Sequence, residues 1–98
     1  MATLYIEEYN DVGRVLSSSA QAPLEPSIAS QTVAIGAATQ SAAFSLSTTL
    51  VRVHVDAICS VAFGANPTAT TSNKRFAAGQ TEYFGVVPGH KLSVIANT

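Results

Sequence analysis

A chain of 98 residues with a formal net charge of −1 and 11% charged side chains has the length for one domain around one core. Its charge content is less than half the ~25% typical of soluble domains, yet 47% of it is hydrophobic, which excludes disorder by composition. Five scattered basic residues leave no electrostatic footprint for nucleic acid, and no apolar run approaches the ~20 residues of a membrane-spanning helix.

Taken in order, TLYIEEY (residues 3–9) alternates as a strand does, with Leu4 and Ile6 on one face and Tyr5, Glu7 and Tyr9 on the other. The opening MATLYIEEYN lacks the basic and apolar regions of a secretion signal, so assembly in a cytoplasm is expected. Asn10, Asp11 and Gly13 signal a turn before a short strand at Arg14-Val15-Leu16. Three serines and two prolines then predict an extended loop over about 17–30. QTVAIGA (31–37) reads as a strand with Val33 and Ile35 on one face.

The Ala-rich stretch 37–46 sustains no helical apolar stripe, so strand is favoured over helix there, with Phe44 and Leu46 sharing a face. TLVRVHVDA (49–57) alternates most clearly, setting Val51, Val53 and Val55 against Arg52, His54 and Asp56. ICSVAFG (58–64) is a continuous apolar run, expected to be covered on both faces or to lie at a sheet junction. A long loop follows over about 65–80. TEYFGVV (81–87) turns Phe84 and Val86 inward, Pro88-Gly89 suits a type II turn, and HKLSVIA (90–96) closes the chain with Leu92 and Val94 together. Seven or eight short antiparallel strands in a single domain, 1–98, predict a small all-β sandwich or jelly roll.

Catalytic chemistry finds little to work with. Glu7 and Glu8 are adjacent, so on a strand they point to opposite faces and cannot act as a paired acid and base. The two histidines, His54 and His90, lack metal-ligand spacing. Cys59 is the one cysteine and lies in an apolar run, which excludes an intramolecular disulfide and suits a buried, inert thiol. The chain is expected to be non-enzymatic, with no cofactor and no metal. Lys74, Arg75 and Phe76 bring two of the five cations and a ring into the long loop. Two readings stay open and are compatible: a partner-contact patch, or a ring that anchors the loop beneath two solvated cations.

The carboxyl-terminal half carries a resemblance. VRVHVDAICSVAFGANPTAT, FAAGQTEYFGV and PGHKLSVIAN, with the amino-terminal TLYIEEY and its serine-rich link, resemble small structural proteins encoded in the virion gene clusters of tailed bacteriophages. The resemblance implies a compact β-sandwich or jelly roll that stabilises or decorates a capsid as a cement subunit. It would contact the major capsid protein or another virion protein and its own copies, as a dimer or trimer, in a virion assembled in the host cytoplasm. A neck, tail or baseplate component is the nearest alternative, and a carbohydrate- or receptor-binding module is the rival of a different kind. The absence of Trp and the presence of only three Tyr weigh against sugar binding, which favours aromatic platforms.

Overall fold

The structure is a computed structural model and describes residues 2–15 and 18–97. The fold is all-β. Ten strands follow one another: β1 (Thr3–Tyr9), β2 (Val12–Val15), β3 (Ser18–Pro23), β4 (Ala29–Ala34), β5 (Thr39–Gln40), β6 (Leu50–Val55), β7 (Cys59–Gly64), β8 (Lys74–Phe76), β9 (Thr81–Gly85) and β10 (Lys91–Ala96). The first sheet has the order β4-β1-β6-β9, the second β5-β10-β7-β8, and β2 and β3 form a separate ribbon. Every pairing is antiparallel.

Alternation on the two central strands of the first sheet sets the core. Leu4 stands beside Val33 on one side and Val55 on the other, and Ile6 stands beside Val53. All of these side chains point into the sandwich and are buried. Cys59, Val61, Leu92 and Val94 face them from the second sheet. Each large aliphatic side chain so buried contributes roughly 1.5–3 kcal/mol relative to exposure. Buried Phe44 and Phe76 are joined through half-buried Phe63 and Phe84 in a chain of tilted rings, Phe44–Phe63–Phe84–Phe76, with centroids 6.5, 4.9 and 6.1 Å apart. Phe84 comes from the first sheet, and Phe63 and Phe76 from the second. The rings therefore close the side of the sandwich where β9 faces β7 and β8.

The turns obey local chemistry. Gly89 has φ of 82°, and His90 N–H donates to Val87 O at 3.1 Å, which is the type II turn expected of Pro88-Gly89. Gly79 repeats the device with φ of 81° and a 3.1 Å bond from Gln80 N to Ala77 O.

Three expectations are corrected. The extended loop over 17–30 contains a strand: Ser18–Pro23 pairs with β2. The β1–β2 and β3–β4 segments thus run as one long hairpin, with a register shift between Val12 and Arg14. The SSAQAP sequence of β3 carries no apolar alternation to read. Of the strand expected at 14–16, residue 16 lies outside the described residues, as does residue 17 of the loop. Second, Phe44 and Leu46 do not share a strand face. A turn at Ser45–Thr48, closed by Thr48 N on Ser45 O at 3.0 Å, separates them, leaving Phe44 buried and Leu46 85% exposed. Third, the long loop over 65–80 is interrupted by β8. β3 and β8, neither of them expected, bring the strand number from eight to ten.

The long dimension of the molecule, 44 Å against 25 and 22 Å, exceeds the roughly 23 Å of a seven-residue strand. The strands of the β2–β3 ribbon pack chiefly against each other.

Phe76 is the largest fully buried side chain and links both sheets through Phe84. Replacing it with alanine is expected to cost about 3 kcal/mol, lowering Tm by at least ~10 °C in thermal unfolding followed by circular dichroism. An unchanged Tm would show that the ring anchors nothing.

Candidate contact surface

The segment after β7 is ordered by its own polar side chains. Residues 65–73 lie across the outer side of the second sheet and cover Ser60 and Ser93, both buried although they face away from the core. Ala69 N–H donates to Ser93 Oγ at 2.9 Å, and Asn97 Nδ2 donates to Ser60 Oγ at 2.7 Å and to Thr71 O at 3.1 Å. Gln40 Nε2 donates to Asn66 Oδ1 and Pro67 O, each at 2.8 Å. Asn73 Oδ1 accepts from Thr70 N–H at 2.7 Å, which pins the tip. Hydroxyl and amide groups thus take the place of an apolar anchor. They also explain why β7 is covered on both sides.

Lys74, Arg75 and Phe76 follow as the edge strand β8, paired to Val61, Ser60 and Cys59 respectively. Phe76 is wholly inside while Lys74 and Arg75 are exposed. Successive side chains on a strand point to opposite sides, so Arg75 leaves the face opposite to Phe76 and Lys74. The three do not form one surface cluster. What remains outside is a short edge with two cations, a composition that discourages indiscriminate strand addition.

The outer side of the first sheet gathers more contact chemistry. Its upper row runs Thr32, Tyr5, His54, Thr81 across β4, β1, β6 and β9, and the next row runs Ser30, Glu7, Arg52, Tyr83. Tyr5 is 43% and Tyr83 52% exposed. The Tyr5 and His54 rings are 6.2 Å apart, and His54 Nδ1 lies 2.7 Å from Thr81 Oγ1. Glu7 accepts from Ser30 Oγ at 2.6 Å and Ser27 Oγ at 2.7 Å. Those two hydrogen bonds, assisted by Arg52, hold its carboxyl below the usual glutamate value despite partial burial.

Tyr9, the third tyrosine, belongs to the same side but is covered, only 2% exposed, and its hydroxyl donates to Glu25 Oε2 at 2.8 Å. Burial first, and the Glu25 carboxylate second, push its phenol up to about 12. Beside it an open apolar groove of about 250 Å³ is lined by Val12, Ala22, Pro23, Leu50 and Tyr83. It lies where the ribbon leaves the sheet. All three tyrosines of the chain therefore sit on one side of one sheet.

The remaining titratable groups are structural in their contacts. Glu8 points inward, opposite to Glu7 as adjacency on a strand requires. Buried at 3% exposure, it accepts from Thr48 Oγ1 at 2.7 Å, Ser45 N–H at 2.9 Å and Gln31 Nε2 at 3.2 Å, clasping the crossover that links β5 to β6. Cys59 is buried, and burial raises its thiol to about 11, far from the thiolate that reaction requires. His54 lies on the first sheet and His90 at the start of β10 in the second. Among the described residues no group of three or more His, Cys, Asp or Glu side chains could hold a metal ion.

Tyr9 supplies a test of this surface. Its phenol is raised in the folded state, so the neutral form is favoured there. The stability it contributes is complete below pH 10, the ordinary tyrosine value, and is lost as pH rises through about 12. Alkaline titration followed by phenolate absorbance should show one tyrosine ionising near pH 12, and Tyr9→Phe should remove that step. A wild-type titration complete by pH 11 would contradict the buried Tyr9–Glu25 bond.

Comparison with known proteins returns no match for this chain: no family model, no curated protein and no solved structure matches it.

Proposed function

We propose that the protein is a non-enzymatic structural subunit of a tailed-bacteriophage virion, which stabilises or decorates the capsid through the major capsid protein and its own copies. The observation that carries this reading is the outer side of the first sheet. It presents two half-exposed tyrosines, an arginine and a histidine on rigid backbone, and tyrosine and arginine are enriched where proteins meet. The resemblance of the carboxyl-terminal half to phage virion proteins supplies the setting. The low charge and hydroxyl-rich surface suit repeated protein contacts, and many copies on one shell multiply weak contacts through effective concentration.

The same tyrosines favour a second reading, a carbohydrate- or receptor-binding module, because exposed aromatic rings are what sugars stack on. A glycan array decides between them: reproducible, selective hits would promote the second reading.

Quantitative mass spectrometry or an electron-density map of purified particles should place the protein on the shell at a copy number in simple ratio to the capsid subunit. A few copies per particle would instead assign it to the neck, tail or baseplate. Absence from mature particles would defeat the virion reading.

Lys74 and Arg75 offer a narrower test. Lys74→Ala with Arg75→Ala should leave Tm unchanged, because both side chains are exposed, and should release the subunit from particles at lower salt than wild type. Equal retention across a salt series would remove these two cations from the contact.

A further inference from the structure

We propose that the outer side of the first sheet is a two-fold self-association surface, on which a second copy of this chain docks face to face. This inference rests on the assembly-subunit reading above and names the surface through which copies meet.

Across the two uncovered rows the face holds one fixed anion and one fixed cation, Glu7 and Arg52, directly opposite each other on β1 and β6. A two-fold contact brings each patch against itself, so residue i meets j and j meets i. Such a patch must be complementary to its own rotated image. An axis perpendicular to the strands sets Glu7 over Glu7 of the second copy when it passes through their row, and over Tyr5 when it passes between the two rows, so in neither position does the carboxylate meet a cation. An axis parallel to the strands, running between β1 and β6, exchanges the two strands. Glu7 then lies over Arg52 of the second copy, and Arg52 over its Glu7. The remaining positions also match under that axis. Tyr5 meets His54, repeating between copies the ring contact already present within each. Thr32 meets Thr81, and Ser30 meets Tyr83.

Glu7 is suited to this use. Its two serine hydrogen bonds and its lowered carboxyl keep it ionised and oriented, with little rotamer freedom left to lose on docking. Geometry gives the rest. Sheets pack face to face about 10 Å apart with their strands nearly aligned, which the chosen axis permits. The groove lined by Leu50 and Tyr83 adjoins the same face, between it and the ribbon.

Size sets the strength. Four strands at ~4.8 Å spacing, over a length of ~20 Å, give a footprint on the order of 400 Å², about half of what a standard interface uses per partner. The pair therefore dissociates readily in dilute solution and forms where copies are concentrated, as on a scaffold that gathers them.

Sedimentation velocity on the full chain, from about 10 μM to about 1 mM, tests the assignment. Wild type should shift from its 10.1 kDa monomer mass toward twice that value. Glu7→Lys sets a lysine against Arg52, and Arg52→Glu sets a glutamate against Glu7, so each variant alone should associate at least ~tenfold more weakly. Mixed in equal amounts they should regain pairing. The lysine introduced at position 7 of one copy then faces the glutamate introduced at position 52 of the other. The unaltered Arg52 of the first likewise faces the unaltered Glu7 of the second. A role within one chain gives no rescue on mixing. Circular dichroism melting establishes that each variant folds, and Tyr5→Glu, which leaves the serine bonds intact, should likewise stay monomeric.

Wild type that remains a monomer at about 1 mM overturns the proposal. So does pairing that survives either charge reversal or Tyr5→Glu, or a mixture of two folded variants that fails to pair. If the reversed variants do not fold, Tyr5→Glu alone decides in the same way. Particle composition is measured separately. Loss of pairing with the protein still on virions would sink only this surface, and pairing without virion incorporation would sink only the virion reading.

Discussion

The register between β1 and β6 governs the molecule. It places Leu4 beside Val55 and Ile6 beside Val53 on the inner side, and by the same step Tyr5 beside His54 and Glu7 beside Arg52 on the outer side. Because strand side chains alternate with period two, a slip of β1 by one residue would drive Tyr5 and Glu7 into the core and Leu4 and Ile6 into water. Hydrophobic burial, at roughly 25 cal/mol per Å², therefore fixes the arrangement of the outer face without any interaction on that face being strong. The dry side holds the wet side in place.

Hydroxyl groups do the second part of the structural task. In a chain this short, core volume is limited, and much of the backbone outside the strands is fastened by Ser, Thr, Asn and Gln. Ser41 exchanges bonds with Leu92, its N–H donating at 2.7 Å and its Oγ accepting at 3.0 Å. Ser60 and Ser93 hold the loop over the second sheet, while Thr48 and Ser45 reach the buried Glu8 carboxylate. Among the described residues, no buried side-chain nitrogen or oxygen lacks a partner. The unusual composition is thereby accounted for: small polar residues are the fasteners of crossovers and loops. Their bonds are individually modest, about 1 kcal/mol each, but an unmatched buried group would cost more than a matched one gains.

Much of this was legible in the sequence where burial imposes a period. The alternation of TLYIEEY and LVRVHV, the type II turn at Pro88-Gly89, the opposed directions of Glu7 and Glu8 and the all-β class follow from local rules. The ribbon was not legible, because serine with proline there resembles a loop. Leu46 misled for the complementary reason: a turn at Ser45–Thr48 breaks a period that its apolar side chain suggests. The outer face of the first sheet was half legible. The outward direction of Tyr5, Arg52, His54 and Tyr83 follows from their own strands, but their assembly into two rows depends on β1, β6 and β9 being neighbours. That adjacency joins strands far apart in the chain and leaves no mark in a local window. Lys74, Arg75 and Phe76 looked like a cluster because they are consecutive, which on a strand is the condition that separates them.

The blanket of residues 65–73 over the second sheet makes the protein two-sided. One broad flank is padded by backbone and small uncharged side chains, while the other is a bare weave of strands studded with rings and charges. A molecule clothed on one flank alone has a front and a back, so a pair joined front to front turns both of its backs outward. What the surroundings then meet is the uncharged upholstery of Thr70, Thr71 and Ser72 with the Arg75 cation at its edge, repeated identically on either side.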